Sequence, residues 1–156
     1  MFVRIAAGAV AGIDAVTVSV EVNVAAAGQL GLFLVGLPDN AVKESEQRIR
    51  SAFENTGLRM TGKKLVVNLA PADLPKESGR FDLPIALGFL AASGQIRQDQ
   101  LDRYEFAGEL SLSGELRAIR GALAMAYAIS QNPKASEKAF ILPSANADEA
   151  AFVQNL

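Results

Sequence analysis

The sequence predicts an α+β fold, a mixed sheet with helices packed on it. Three observations carry this reading. The chain has 156 residues, of which 50% are hydrophobic and 21% charged, enough to bury one substantial core. Runs alternating apolar and polar residues at period two are interleaved with runs at helical period. No internal repeat, linker or low-complexity tract divides the chain, so residues 1–156 read as one domain.

The first strand is expected over Phe2 to Ala7, joined through Gly8 to Gly12 to an antiparallel partner from Asp14. In that partner valine recurs at every second position from Val16 to Val24, the mark of a half-buried strand with one wet face. Gly31 to Val35 is a short apolar third strand, and Gly36-Leu-Pro-Asp39 turns the chain. Asp39 or Asn40 suits the cap of a helix, because a short polar side chain can accept from its free N–H groups. Val42, Ser45, Ile49, Ala52 and Phe53 then repeat at helical spacing, and Gly57 ends the run.

Lys64 to Ala70 reads as the next strand, followed by the loop Pro71 to Arg80. Asp82 is expected to cap a helix with Pro84 in its first turn; Ile85 to Ala91 leaves that helix almost no polar face, so it must be buried. Tyr104 to Leu112 and Glu115 to Ile119 form an expected hairpin around a two-residue Ser113-Gly114 turn. A helix follows from Gly121 to Ser130, then a short strand Phe140 to Leu142. Asn146 and Glu149 resemble a capping box for a last helix, which has barely begun when the sequence stops at Leu156. The segment therefore reads as a fragment of a longer protein.

The composition excludes several chemistries. Cys, His and Trp all number zero, so within this chain there is no disulfide, no thiolate nucleophile, no zinc-thiolate site and no imidazole base or ligand. With 15 Lys+Arg against 17 Asp+Glu the net charge is -2, which speaks against a domain that grips nucleic acid through its overall field but permits a local basic patch. No apolar run is long enough for a membrane span, and Asp14 follows Ile5 to Ile13 too directly for a signal peptide. A cytoplasmic protein without a membrane partner is expected.

Gly57-Leu-Arg-Met-Thr-Gly62-Lys63-Lys64 meets most of a phosphate-binding loop pattern. Lys64 replaces the magnesium-binding hydroxyl, and a helix precedes the motif where a strand should, so it reads as a turn with solvated lysines. The loop from Asn68 to Leu83 is more informative. It holds Asp73, Lys76, Glu77, Arg80 and Asp82 between prolines and feeds a buried helix, a setting in which scaffolds display function. Lys76 and Arg80, with Arg117 and Arg120 beyond the hairpin, are the candidate contacts for DNA phosphates or an acidic partner. The competing readings are a salt-bridged structural loop and an ordinary solvated edge. Asp73 with Asp82 could do acid/base work or hold magnesium, but nothing in the spacing fixes their separation. No metal, cofactor or catalytic residue is assigned.

Four stretches carry a resemblance: Val35-Gly-Leu-Pro-Asp39, Val42-Lys-Glu-Ser45, Val67-Asn-Leu-Ala-Pro-Ala-Asp-Leu-Pro-Lys76 and Arg80-Phe-Asp-Leu-Pro-Ile-Ala-Leu87. The chain resembles, over nearly its whole length, the amino-terminal domain of the ComM/YifB family of magnesium-chelatase-like AAA+ ATPases. The resemblance implies a Lon-protease-like fold, of the ribosomal small-subunit protein five domain 2-like (GHMP-kinase-like) type. It also implies a parent that is a hexameric DNA motor for branch migration in natural transformation, with ATP and magnesium in a module beyond Leu156. The partners implied are that module, neighbouring subunits of the ring and, through a cationic patch, DNA.

Lon-type peptidases pair a serine at the start of a buried helix with a lysine on the helix after the second hairpin, and Gly108-Glu-Leu-Ser-Leu-Ser-Gly114 resembles the segment leading to that lysine. By this resemblance Asp82 stands near the serine position and Leu123 near the lysine position, with no Lys from Ala118 to Pro133. The expectation is a peptidase fold without the dyad, acting by assembly or by binding DNA or a partner. Two alternatives stand beside it: a purely structural ring domain, and a residual hydrolase using Ser78 or the Asp73 and Asp82 pair.

Overall fold

A computed structural model describes residues 1–25, 28, 31–60, 64–134 and 137–153. Two long strands, β1 (Phe2–Ala11) and β2 (Asp14–Ala25), form an antiparallel hairpin in register from Phe2 opposite Asn23 to Ala11 opposite Asp14. Its loop is two residues, and Gly12 supplies the positive φ of 65° that such a loop needs. Strand β3 (Gly31–Val35) lies parallel to β4 (Lys64–Ala70), which pairs antiparallel with β2. On the other side β1 pairs in parallel with β5 (Tyr104–Phe106), and β5 with β8 (Ala139–Ile141). The sheet order is β3-β4-β2-β1-β5-β8, and β6 (Glu109–Leu110) and β7 (Leu116–Arg117) form a small separate ribbon. This is the mixed sheet of an α+β fold.

Because strand side chains alternate, each face of the sheet binds its own helices. Val3, Ile5, Val18, Val20, Val22, Leu65, Val67 and Leu69 point to one face, where α2 (Ser45–Thr56) and α3 (Asp82–Ala92) bring Ile49, Phe53, Ile85 and Phe89. Each such side chain contributes roughly 1.5–3 kcal/mol on burial. Gly88 lets α3 close on the sheet: a Cβ there would lie 2.5 Å from Val22 Cγ2. On the opposite face α4 (Ala122–Gln131) packs Ala122 and Met125 with Ala107, Ile119, Val10 and Phe140.

Strand β1 runs past the expected end at Ala7. Gly8 sits inside it, because α4 covers that point: a Cβ on Gly8 would lie 2.9 Å from Met125 Cε. The glycine reads locally as a linker, yet its role is close approach.

Other boundaries differ for identifiable reasons. The helix from Asn40 breaks at Glu44 into α1 (Asn40–Lys43) and α2, with Asp39 capping α1 and Gly57 closing α2 at φ 74°. The expected strand Tyr104 to Leu112 divides at Ala107-Gly108, where the chain leaves the sheet: Gly108 N–H donates to the Arg80 carbonyl, and Leu83 N–H donates to the Gly108 carbonyl. The expected two-residue turn is wider. Ser111 N–H donates to the Glu115 carbonyl, and Gly114, at φ 94°, closes a three-residue loop.

Asn146 does not cap the short α5 (Ala147–Ala150) with its side chain. Its Oδ1 accepts from Ile119 N–H and its Nδ2 donates to the Ile119 carbonyl, both at 2.9 Å, while Glu149 accepts from Leu123 N–H. The expected capping box is a clamp across to the start of α4. The phosphate-loop-like stretch includes Thr61, Gly62 and Lys63, which lie outside the described residues, as do the last three residues of the expected final helix; among the described residues that helix ends at Ala150. Described flanks place a helix before that stretch and a strand after it. No helix among the described residues is long and apolar enough to cross a membrane.

Candidate functional site

The resembling motifs meet in space at one junction. Gly36 turns the chain after β3 at φ 105°, and any Cβ there would strike the Leu69 carbonyl oxygen at 2.1 Å, so this position demands glycine. Leu37 follows at φ 55°. The chain then bonds to the 71–81 loop: Asp39 N–H donates to the Lys76 carbonyl at 2.9 Å and Lys76 N–H donates to the Leu37 carbonyl at 3.0 Å. Asp39 serves both loops, accepting from Val42 N–H through Oδ1 and from Ser78 N–H through Oδ2. Ser78 adopts φ 70° and ψ 171°, a region nearly reserved for glycine, so the contacts around it offset about 1–3 kcal/mol of strain.

Asp82 is the centre of the junction. It does not cap α3, as expected from sequence, because a 3-10 turn over Gly79–Phe81 already leads into the helix and Asp82 lies within its first turn. Its fully buried carboxylate accepts four hydrogen bonds, two on each oxygen. Ser45 Oγ donates to Oδ1 at 2.5 Å, Arg48 donates through Nε to Oδ2 at 2.6 Å and through Nη2 to Oδ1 at 2.9 Å, and Leu110 N–H donates to Oδ2 at 3.0 Å. Arg48 also donates to the Ala41 carbonyl. The hydrogen bond to Asp82 raises the Arg48 pKa further, against the opposing effect of burial. A carboxylate so engaged cements four segments and has no lone pair left for a substrate.

The other candidates divide by burial. Lys76 is fully covered, its Nζ donating to the Pro71 carbonyl five residues back in the same loop, and burial lowers its pKa. Arg80 is 7% exposed; its Nε donates to Ser78 Oγ, and its pKa is lowered by burial against the pull of Glu77 and Asp39. The surface pair expected of Lys76 and Arg80 is therefore internal, a correction that follows from the loop folding back on itself. Arg117 and Arg120 remain exposed, and Arg117 stands opposite Glu109 in the β6–β7 ribbon, so opposite charge sits beside it.

Neither proposed hydrolytic arrangement is assembled. Asp73 is exposed while Asp82 is buried and paired, so the two carboxyls face different surroundings. Ser78 Oγ accepts from a guanidinium, which cannot take its proton. Leu123, at the lysine position of the resemblance, is 43% exposed at the start of α4 and faces solvent. Sequence reasoning missed Ser45 and Arg48, the partners of Asp82. The signal was there: both lie on one face of α2, three residues apart.

The family model for subunit ChlI of Mg-chelatase matches residues 20–146. The chain is 44% identical to the competence protein ComM of Haemophilus influenzae over 92% of its own length and 27% of that protein's. It is 51% identical to YifB of Escherichia coli over 74% of its own length and 22% of that protein's. A Mycobacterium tuberculosis protein is 34% identical over 95% of the chain and 29% of its own length. The chain thus spans about a quarter of the length of these relatives. Coverage and identity of this extent place the chain in the ComM/YifB family of magnesium-chelatase-like proteins.

Proposed function

We propose that this domain works by binding and assembly, without chemistry of its own, within a ComM/YifB-type AAA+ ATPase. The observation that carries the reading is Asp82. At the position where a Lon-like nucleophile would start the buried helix, the chain has a carboxylate consumed by Ser45, Arg48 and Leu110. Replacing a reactive group with an internal ion pair turns the mouth of a site into a fastening. On this reading the fold is Lon-like, and the parent is a cytoplasmic hexamer whose other module binds ATP and magnesium.

The competence relative suggests DNA processing as the setting. Of the four candidate phosphate contacts Lys76 and Arg80 are internal, which leaves Arg117 and Arg120. Such contacts are weak singly but multiply in a ring. The test is the full-length protein with and without residues 1–156, measured for oligomeric size and for binding to branched and single-stranded DNA at low salt. Loss of the ring on deletion supports assembly. An Arg117→Ala/Arg120→Ala protein that assembles but binds DNA several-fold less tightly supports the DNA role. An unchanged ring and unchanged DNA binding after deletion would sink both.

A further inference from the structure

Helix α4 is apolar on two sides. One side buries Ala122, Met125 and Ile129 against the sheet, but Leu123 and Tyr127, one turn apart on the other side, are 43% and 60% exposed. They line an open groove of about 540 Å³ with Ile13 from the β1–β2 turn and with Phe152 and Val153 after α5. Ile13 is 92% exposed and Phe152 83%. Among the described residues no charged side chain lines the groove, and Ser130 and Gln131 bring polar groups to it. A helix apolar nearly all round is normally covered on both sides, and monomers seldom leave large aromatic and aliphatic side chains together in water.

We infer that this groove is the seat of another segment of the same polypeptide, the part present in the longer relatives and outside these residues, docking through apolar side chains. The inference rests on the reading that the domain works inside a larger protein. Two facts select this occupant over a second copy. The matched relatives are about four times as long as the aligned region, so the family's polypeptide has ample chain to supply a cover. Phe152 and Val153 also lie among the last described residues, so the chain borders the groove at that point. A tethered segment docks at high effective concentration, which lets a small groove hold its occupant.

Hydrogen–deuterium exchange on the full-length protein and on the 156-residue chain tests this, with Tyr127→Ser/Phe152→Ser in both. Both side chains are exposed, so the pair leaves the domain folded. The expected result is that peptides spanning 122–131 and 147–153 exchange about tenfold or more slowly in the full-length protein, and that the double variant removes this protection. Equal exchange in the two proteins overturns the inference. So does self-association of the 156-residue chain that the variant disperses, since the occupant would then be a second copy. If the ring still needs residues 1–156 while the groove stays unprotected, the groove is refuted and the assembly role stands.

Discussion

Asp82 shows how one residue's surroundings decide between reactivity and structure. Its carboxylate is held by a bidentate arginine, a hydroxyl and a backbone N–H, all within 3.0 Å. Removing it strands the Arg48 guanidinium over a buried hole, so Asp82→Ala is expected to cost about 3 kcal/mol, read as a lower urea midpoint. Asp82→Ser would restore the residue type of the resembling nucleophile but no base, and we expect it to stay unlabelled by a serine-reactive probe while losing similar stability. Glu105 is the opposite case, a buried carboxyl without an arginine. It sits beside Gly8 under Met125, and burial lifts its pKa from 4.5 to about 7, against a small opposing pull from Lys138. The folded protein therefore holds this proton more tightly than the unfolded chain. Stability should fall as pH rises from about 4.5 to about 7, by an amount on the order of 3 kcal/mol, and level off above. Glu105→Gln should flatten that slope and be the more stable form at pH 8, as denaturant titrations at several pH values would show.

At the scale of elements, the helices are placed by small residues that allow close approach. Gly88 lies in α3 with Val22 beneath it. In an exposed helix Gly→Ala stabilises by about 1 kcal/mol, but here the new methyl would sit 2.5 Å from Val22 Cγ2, a branched side chain fixed in the sheet. Overpacking should win: Gly88→Ala is expected to lower stability by about 2 kcal/mol, and Val22→Ala added to it should recover part of the loss, both by thermal unfolding. The strands β2, β3 and β4 and the caps at Asp39 and Gly57 were legible in the sequence because their signals are local: period two, or a polar residue or glycine at a helix end. What was not legible depends on distant chain. Gly8 reads as a break until Met125 is laid over it, Tyr104 to Leu112 reads as one strand until Arg80 and Leu83 capture Gly108, and Asp82 reads as a cap until Arg48 reaches it. Lys76 and Arg80 misled for the same reason, since a charged loop normally points to water and this one is folded onto itself.

For the whole molecule, the sheet separates two unequal layers. The α2/α3 face holds an extended cluster from Val3 through Leu110, whereas the α4 face rests on Ala107, Ile119, Ala122 and Met125 with a few partly buried neighbours, and its far side is the open groove. Less buried apolar area means a lower free energy of local opening, so α4 and α5 should open sub-globally before β2 and β4 do. Glu105 lies on the α4 side of the sheet, so its ionisation charges the weaker layer. Native-state hydrogen exchange, corrected for the intrinsic pH dependence of amide exchange, should therefore show a lower opening free energy in residues 122–131 than in β2 and β4, with both falling in parallel between about pH 6 and pH 7, because local opening of α4 and global unfolding each free Glu105. Glu105→Gln should remove the fall in both layers and leave the gap between them. Equal opening free energies in the two layers would mean that the two helical faces unfold as one unit, and that the groove side of this domain is no looser than its core.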